Sequence, residues 1–240
     1  MNVMLGVSKK LNAIEIVPAV MPRDLEDLYV HLANVLGAAR TVQIDVMDGV
    51  FVPEKSWPCT PGGSEEFARV VSGEFSLPFA QDFNLEVDLM VTDPVSAAKH
   101  WVRAGARRVI VHVESVRDIA SALKEIKAVS MDTEVGIAIG IETPNEQIES
   151  ALGTVDVVQC MGIARIGYQG EVFDERVAGK VADIHERHPG VTISVDGGVN
   201  AENIARLARA GARRFAVGSA IFNTDDPAEA YRAITRAANH

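Results

Sequence analysis

The chain has only two cysteines in 240 residues, Cys59 and Cys160, with no metal-ligand spacing between them. That excludes a disulfide framework and suits a reducing compartment, so both read as ordinary thiols. Basic residues are also scarce: 23 Lys and Arg against 33 Asp and Glu leave a formal net charge of −10. A nucleic-acid surface needs Lys and Arg clustered on one face, so no nucleic-acid partner is expected. Any anionic ligand must be held by local donors such as backbone amides, because the overall field repels it. After Lys9 and Lys10 there is no apolar run long enough for a signal peptide or a membrane span, and the expectation is a soluble, cytoplasmic chain without a membrane partner. Linker-like tracts are missing as well, which predicts a single domain over residues 1–240, with Pro53 to Glu65 as its longest loop.

What the chain does have is alternation. Eight short β-branched runs read as strands: 14–20, 42–47, 85–91, 109–113, 135–141, 155–161, 191–195 and 215–217. Between them lie amphipathic segments, such as Leu25, Leu28, Leu32 and Val35 at helical spacing, and Asp93-Pro94 as an N-cap with a first-turn proline before Val95 to Ala104. Such alternation implies a parallel sheet with right-handed crossovers, closed or open. A repeat favours closure. Arg-Ala-Gly-Ala-Arg-Arg occurs at 103–108 and again at 209–214, its glycines 106 residues apart, as expected for strands four and eight of a (β/α)8 TIM barrel. In each copy the glycine stands where a helix C-cap needs a left-handed residue, so the repeat reads as scaffold. No Gly-x-Gly-x-x-Gly follows the first strand, which weakens an open dinucleotide-binding sheet.

Chemistry in such barrels sits at the C-terminal ends of the strands. The most informative end is strand two, where Gln43, Asp45 and Met47 fall on one face and Val42, Ile44 and Val46 on the other. A buried amide and carboxylate there need a partner, a ligand or a metal. Asp48-Gly49, just beyond, is ordinary turn chemistry. Strand three offers Asp88, strand four His112 and Glu114, and strand seven Asp196. Aspartates from strands far apart in sequence can thus converge on one mouth as an acid and base pair. Small residues follow strands six, seven and eight: Gly167 and Gly170, Gly197 and Gly198, then Gly218 and Ser219. Their joint placement points to a phosphate site built from backbone amides.

These motifs resemble the ribulose-phosphate 3-epimerase family, from about Ile14 to the final helix. The family's strand-two signature, His-x-Asp-x-Met-Asp-Gly-x-Phe-Val-Pro, is met from Asp45 through Pro53; its Asp-Gly-Gly-Val appears at Asp196 to Val199, and its Gly-Ser-Ala-Ile-Phe at Gly218 to Phe222. The resemblance implies a ribulose-phosphate-binding barrel that inverts C3 of a phosphorylated ketose. Asp45 and Asp196 are then the proton-transferring pair, acting through an enediolate, and Met47, Met90 and Met161 cap the sugar. It also implies a homo-oligomer, and a divalent metal held by two histidines and two aspartates.

Both metal-binding histidines are replaced, the first by Gln43 and the second by Asp88, and the usual serine of strand one is Ala19. An oxygen set of Asp45, Asp88, Asp196 and Gln43 suits Mg²⁺ or Mn²⁺ better than Zn²⁺. If no metal binds, the three carboxylates repel and one should hold a proton near neutrality, with Lys55, Arg165 or His112 left to compensate. His112 reads as positional at most, lining the substrate, and Arg165 as either a phosphate ligand or a solvated loop residue. Two other functions stay open: another phosphosugar epimerase or lyase, and a non-catalytic sugar-phosphate binder that has lost the metal site.

Overall fold

The computed structural model describes residues 14–168 and 170–239. Eight parallel strands close in chain order into a barrel. They are β1 (Glu15–Val20), β2 (Thr41–Met47), β3 (Asn84–Met90), β4 (Arg108–His112), β5 (Glu134–Ile139), β6 (Val157–Met161), β7 (Ile193–Asp196) and β8 (Arg214–Val217). The helices outside are α1 (Leu25–Val35), α2 (Gly63–Val71), α3 (Pro94–Arg103), α4 (Ile119–Lys127), α5 (Arg176–Arg187), α6 (Ile204–Ala210), α7 (Ser219–Phe222) and α8 (Pro227–Ala238). The alternation lapses once, between β5 and β6, where the crossover carries only a 3₁₀ turn at Asn145–Ile148. None of these helices is long and apolar enough to cross a membrane.

Local signals explain where the helices begin and end. Asp24 caps α1 by accepting the Asp27 amide at 2.7 Å, and Asp93 caps α3 by accepting that of Ser96, with Pro94 in the first turn. The spacing of Leu28, Leu32 and Val35 turns all three into the core, where burial contributes about 2 kcal/mol for each side chain. The repeated hexapeptide acts as the sequence predicts. Gly105 and Gly211 take φ of +101° and +123°, and the following amides, Ala106 and Ala212, reach back to the Trp101 and Leu207 carbonyls. Pro53 to Glu65 is a packed corner more than a loop: Trp57 is buried against Phe67 and Trp101, its amide bonded to the Pro22 carbonyl at 2.7 Å, and α2 starts within it.

The apolar core lies mainly between sheet and helices. Inside the barrel a small apolar plug of Ile110, Ala138, Val157 and Met161 fills one side of the lumen. A Cβ on Gly136 would stand 2.6 Å from the Val157 side chain, so β5 needs glycine there to admit the plug. The remaining inward positions are polar. Register pairs Gln43 with Glu86, Asp45 with Asp88 and Met47 with Met90, and on the far side Gln159 with Ser194 and Met161 with Asp196. Strand alternation therefore delivers one polar group after another to the interior of a closed barrel.

Candidate active site

Asp45, Asp88 and Asp196 reach one point inside the C-terminal mouth, each offering a carboxylate oxygen within 4.8 Å of the others. Two amides link them. Gln43 Nε2 donates to Asp45 Oδ1 and to Asp196 Oδ2, both at 2.8 Å, and Gln159 Nε2 donates to Asp88 Oδ2 and Asp196 Oδ2, both at 3.0 Å. His112 Nε2 lies 3.1 Å from Asp88 Oδ1, with both side chains fully buried. The cluster thus forms a chain that runs Asp45, Gln43, Asp196, Gln159, Asp88, His112.

Sequence reasoning missed Gln159. The signal was present: two residues before Met161, it shares that residue's inward face, and it is an amide in a run of valine, cysteine and methionine. His112 takes a larger place than its sequence position suggested, because among the described residues it is the basic side chain in contact with the cluster, its Nε2 against Asp88. Lys55 is exposed and covers Gly49, while Arg165 pairs with Glu171 and sits 5.0 Å over the Tyr168 ring. Glu114 accepts the Gly140 amide at 2.7 Å and so ties the end of β4 to the end of β5. Asp48 accepts the amides of Val50, Phe51 and Thr92, a structural role that also holds its carboxyl below the usual range. Cys160 is a buried thiol pushed up to about 12.

Burial dominates the electrostatics of the aspartates. It raises Asp45 well above the ordinary carboxylate range, reinforced by the charges of Asp196 and Asp88. Burial and the Asp88 charge raise Asp196 to about 7. Burial alone would lower His112, but the charge of Asp88, its contact with the ring and Glu114 outweigh that and raise it. Burial thus favours the protonated form of both carboxyls.

Above the carboxylates opens a pocket lined by Asp45, Asp196, Met90 and Met161, and by all six small residues singled out in the sequence: Gly167, Gly170, Gly197, Gly198, Gly218 and Ser219. Ala19 is also on its wall. Met47 is not: it packs behind, against Val52 and Met90, and His112 and Asp88 lie beneath the cavity floor. Gly197 and Gly198 take φ of +100° and +67°, and Cβ atoms there would come within 2.8 Å of Ile163 and 2.9 Å of Phe173. The loop after β7 can cross closely over the loop after β6 only because both residues are glycine.

A closed (β/α)8 barrel with carboxylates and glycine loops gathered at the C-terminal mouth has the architecture of a barrel enzyme. The comparison with known proteins narrows this. The model of the ribulose-phosphate 3 epimerase family matches residues 15–222, and the chain belongs to that family. It is 32% identical over 198 residues to the ribulose-phosphate 3-epimerase of Aquifex aeolicus, covering 81% of this chain and 82% of that protein. The Mycobacterium tuberculosis protein of the same name is 30% identical over 227 residues, covering 93% and 92% of the two chains. Among solved structures, KGPDC from Streptococcus mutans superposes with a TM-score of 0.68 at 18% identity, covering 95% of this chain and 98% of the other, a likeness of fold.

Proposed function

We propose that this chain inverts C3 of a phosphorylated ketose of the ribulose 5-phosphate and xylulose 5-phosphate type. The observation that carries the reading is the pair Asp45 and Asp196, bridged through Gln43 at the floor of one pocket, with burial pushing both carboxyls above the ordinary range. One carboxylate takes the C3 proton as the C3–H electron pair moves toward the C2 carbonyl, making an enediolate. The other, protonated, returns a proton to C3 from the opposite face, and the configuration inverts. Gly197, Gly198, Gly218 and Ser219, joined by Gly167 and Gly170, supply close-approaching backbone for the terminal phosphate, and Met90 and Met161 flank the sugar.

The donor set fits a hard divalent cation. Three carboxylate oxygens lie within 4.8 Å of one another, and buried Gln43 Oε1 has no hydrogen-bond partner. Asp45, Asp88 and Asp196 would hold it, and when bound it supplies positive charge to stabilise negative charge on the substrate oxygens. An all-oxygen set favours Mg²⁺ or Mn²⁺ over Zn²⁺.

Ribulose 5-phosphate incubated in deuterated water with and without Mn²⁺ tests the reading: solvent deuterium at C3 is expected in the epimerised product. No incorporation under either condition rejects this activity. Ligand-dependent thermal stabilisation in that case favours the non-catalytic binder, whose motivation is the replacement of both histidines by Gln43 and Asp88. Turnover of other ketose phosphates instead favours a different phosphosugar reaction.

A further inference from the structure

Gln43 Oε1 and Gln159 Oε1 are both buried and both lack a hydrogen-bond donor, although the nitrogens of the same two amides thread the carboxylate cluster. A buried amide oxygen left unpaired costs about 1–3 kcal/mol. Two of them beside three carboxylates leave the site short of positive charge, not of acceptors. We infer that Gln159, with Gln43, belongs to a five-residue all-oxygen site for a hard divalent cation, in which each amide turns its oxygen toward the ion and its nitrogen away. This rests on the cation reading above and assigns a ligand from β6 that the family's two-histidine pattern does not contain.

Gln159 is placed for the role because its amide nitrogen donates to both Asp88 and Asp196, the carboxylates from β3 and β7. Without the ion its N–H groups hold those two acceptors together. With the ion, the same planar amide offers a neutral oxygen at the same place, so binding exchanges N–H···O contacts for coordination without moving the backbone. Asp88 is oriented from behind by His112, as an outer partner fixes a metal-binding group. Five oxygen donors and no nitrogen or sulfur discriminate against Zn²⁺ and for Mg²⁺ or Mn²⁺.

The test is direct titration of the purified protein with Mn²⁺, followed by calorimetry and by the electron spin resonance of free Mn²⁺, with no turnover required. Wild type is expected to bind one ion saturably and to prefer Mn²⁺ to Zn²⁺. Gln159→Leu, checked for folding by circular dichroism, should lose about tenfold or more in Mn²⁺ affinity. Gln159→Glu keeps an oxygen in place and should bind at least as tightly as wild type, while Gln159→His should move the preference toward Zn²⁺. Absence of saturable Mn²⁺ binding by wild type overturns the inference. So does a folded Gln159→Leu that binds like wild type, or, should that variant not fold, a folded Gln159→Glu that has lost Mn²⁺. Deuterium exchange at C3 without Mn²⁺ binding would sink this inference alone, and Mn²⁺ binding without exchange would sink the epimerase reading alone.

Discussion

The two ends of the barrel lumen bury charge in opposite ways. At the N-terminal end, acids and bases interleave: Arg214 donates to Glu15 and Glu86 at 2.8 Å each, Arg108 donates to Glu86 at 2.6 Å and pairs with Glu134, and Thr41 donates to Glu15 at 2.6 Å. Two residues further along β3, Asp88 belongs instead to three carboxylates that face one imidazole and two amides. Glu86 and Asp88 share a strand, a face and nearly complete burial, yet one is bonded to two arginines while the other has an imidazole and an amide. Carboxylates interleaved with guanidiniums tie neighbouring strands together; carboxylates gathered with few bases are disposed to act on something that enters. The comparison predicts that damage at one end is read in activity and at the other in stability.

The sharpest break is at the mouth. Asp45→Asn or Asp196→Asn removes one of the two proposed proton carriers and should lower C3 deuterium exchange by about 10³-fold or more, without lowering the melting temperature. A variant that loses stability in proportion to activity would erase the distinction between the ends. Arg214→Met is the complementary cut. It leaves buried Glu86 with Arg108 and half-exposed Glu15 with Thr41 in place of their shared partner, which should cost about 3 kcal/mol in urea unfolding and lower the melting point by roughly 6–12 °C. The exchange rate per folded molecule should stay within about twofold of wild type.

A smaller effect separates the ends by pH. Asp196 titrates at about 7 in the folded chain against an ordinary 3.8, so folding takes up a proton in that interval. The sign follows: the stabilising contribution is fully present below about 4 and disappears as pH rises through 7. With divalent ions chelated, the advantage of Asp196→Asn over wild type should grow by about 1–3 kcal/mol between pH 5 and 8. Added Mn²⁺ should shrink it, because a bound cation favours the charged carboxylate. At the other end Glu15 behaves oppositely. Burial would raise it, but Arg214 and Thr41 hold it below the usual range, so its contribution is present above the ordinary 4.5 and is lost as pH falls through its lowered value.

Much of this contrast was legible in the sequence, and the remainder was not for identifiable reasons. The eight strands, the glycine caps and the inward face of β2 follow from periods of two and 3.6 and from glycine chemistry, all local rules. Asp45 and Asp196 were visible as polar residues at strand ends. For Gln159 the local signal is weak, a lone amide on the inward face of an apolar strand; its meaning depends on β3 and β7 arriving beside it, 71 and 37 residues away in sequence. The N-terminal ion network was hidden in the same way, since Arg214 read as the tail of a helix-cap repeat. Trp57 reads as a loop residue because nothing near it in sequence says that Phe67 and Trp101 enclose it.

The smallest expected effect concerns Arg165, whose sequence position after β6 left open a direct phosphate contact. Its guanidinium is two-thirds exposed, pairs with Glu171 and stacks over Tyr168, and it is absent from the pocket wall formed by Gly167, Gly170 and the β7 and β8 loops. An exposed ion pair of this kind contributes about 0–1 kcal/mol. Arg165→Ala should therefore change KM for a ketose phosphate by less than about twofold and the melting point by no more than about 2 °C. A tenfold rise in KM with unchanged kcat would instead show that the loop turns over on binding and brings the arginine to the phosphate. In that case the mouth would recruit its missing positive charge from the substrate-bound loop as well as from within the barrel, and the contrast between a balanced end and an unbalanced one would hold only for the free protein.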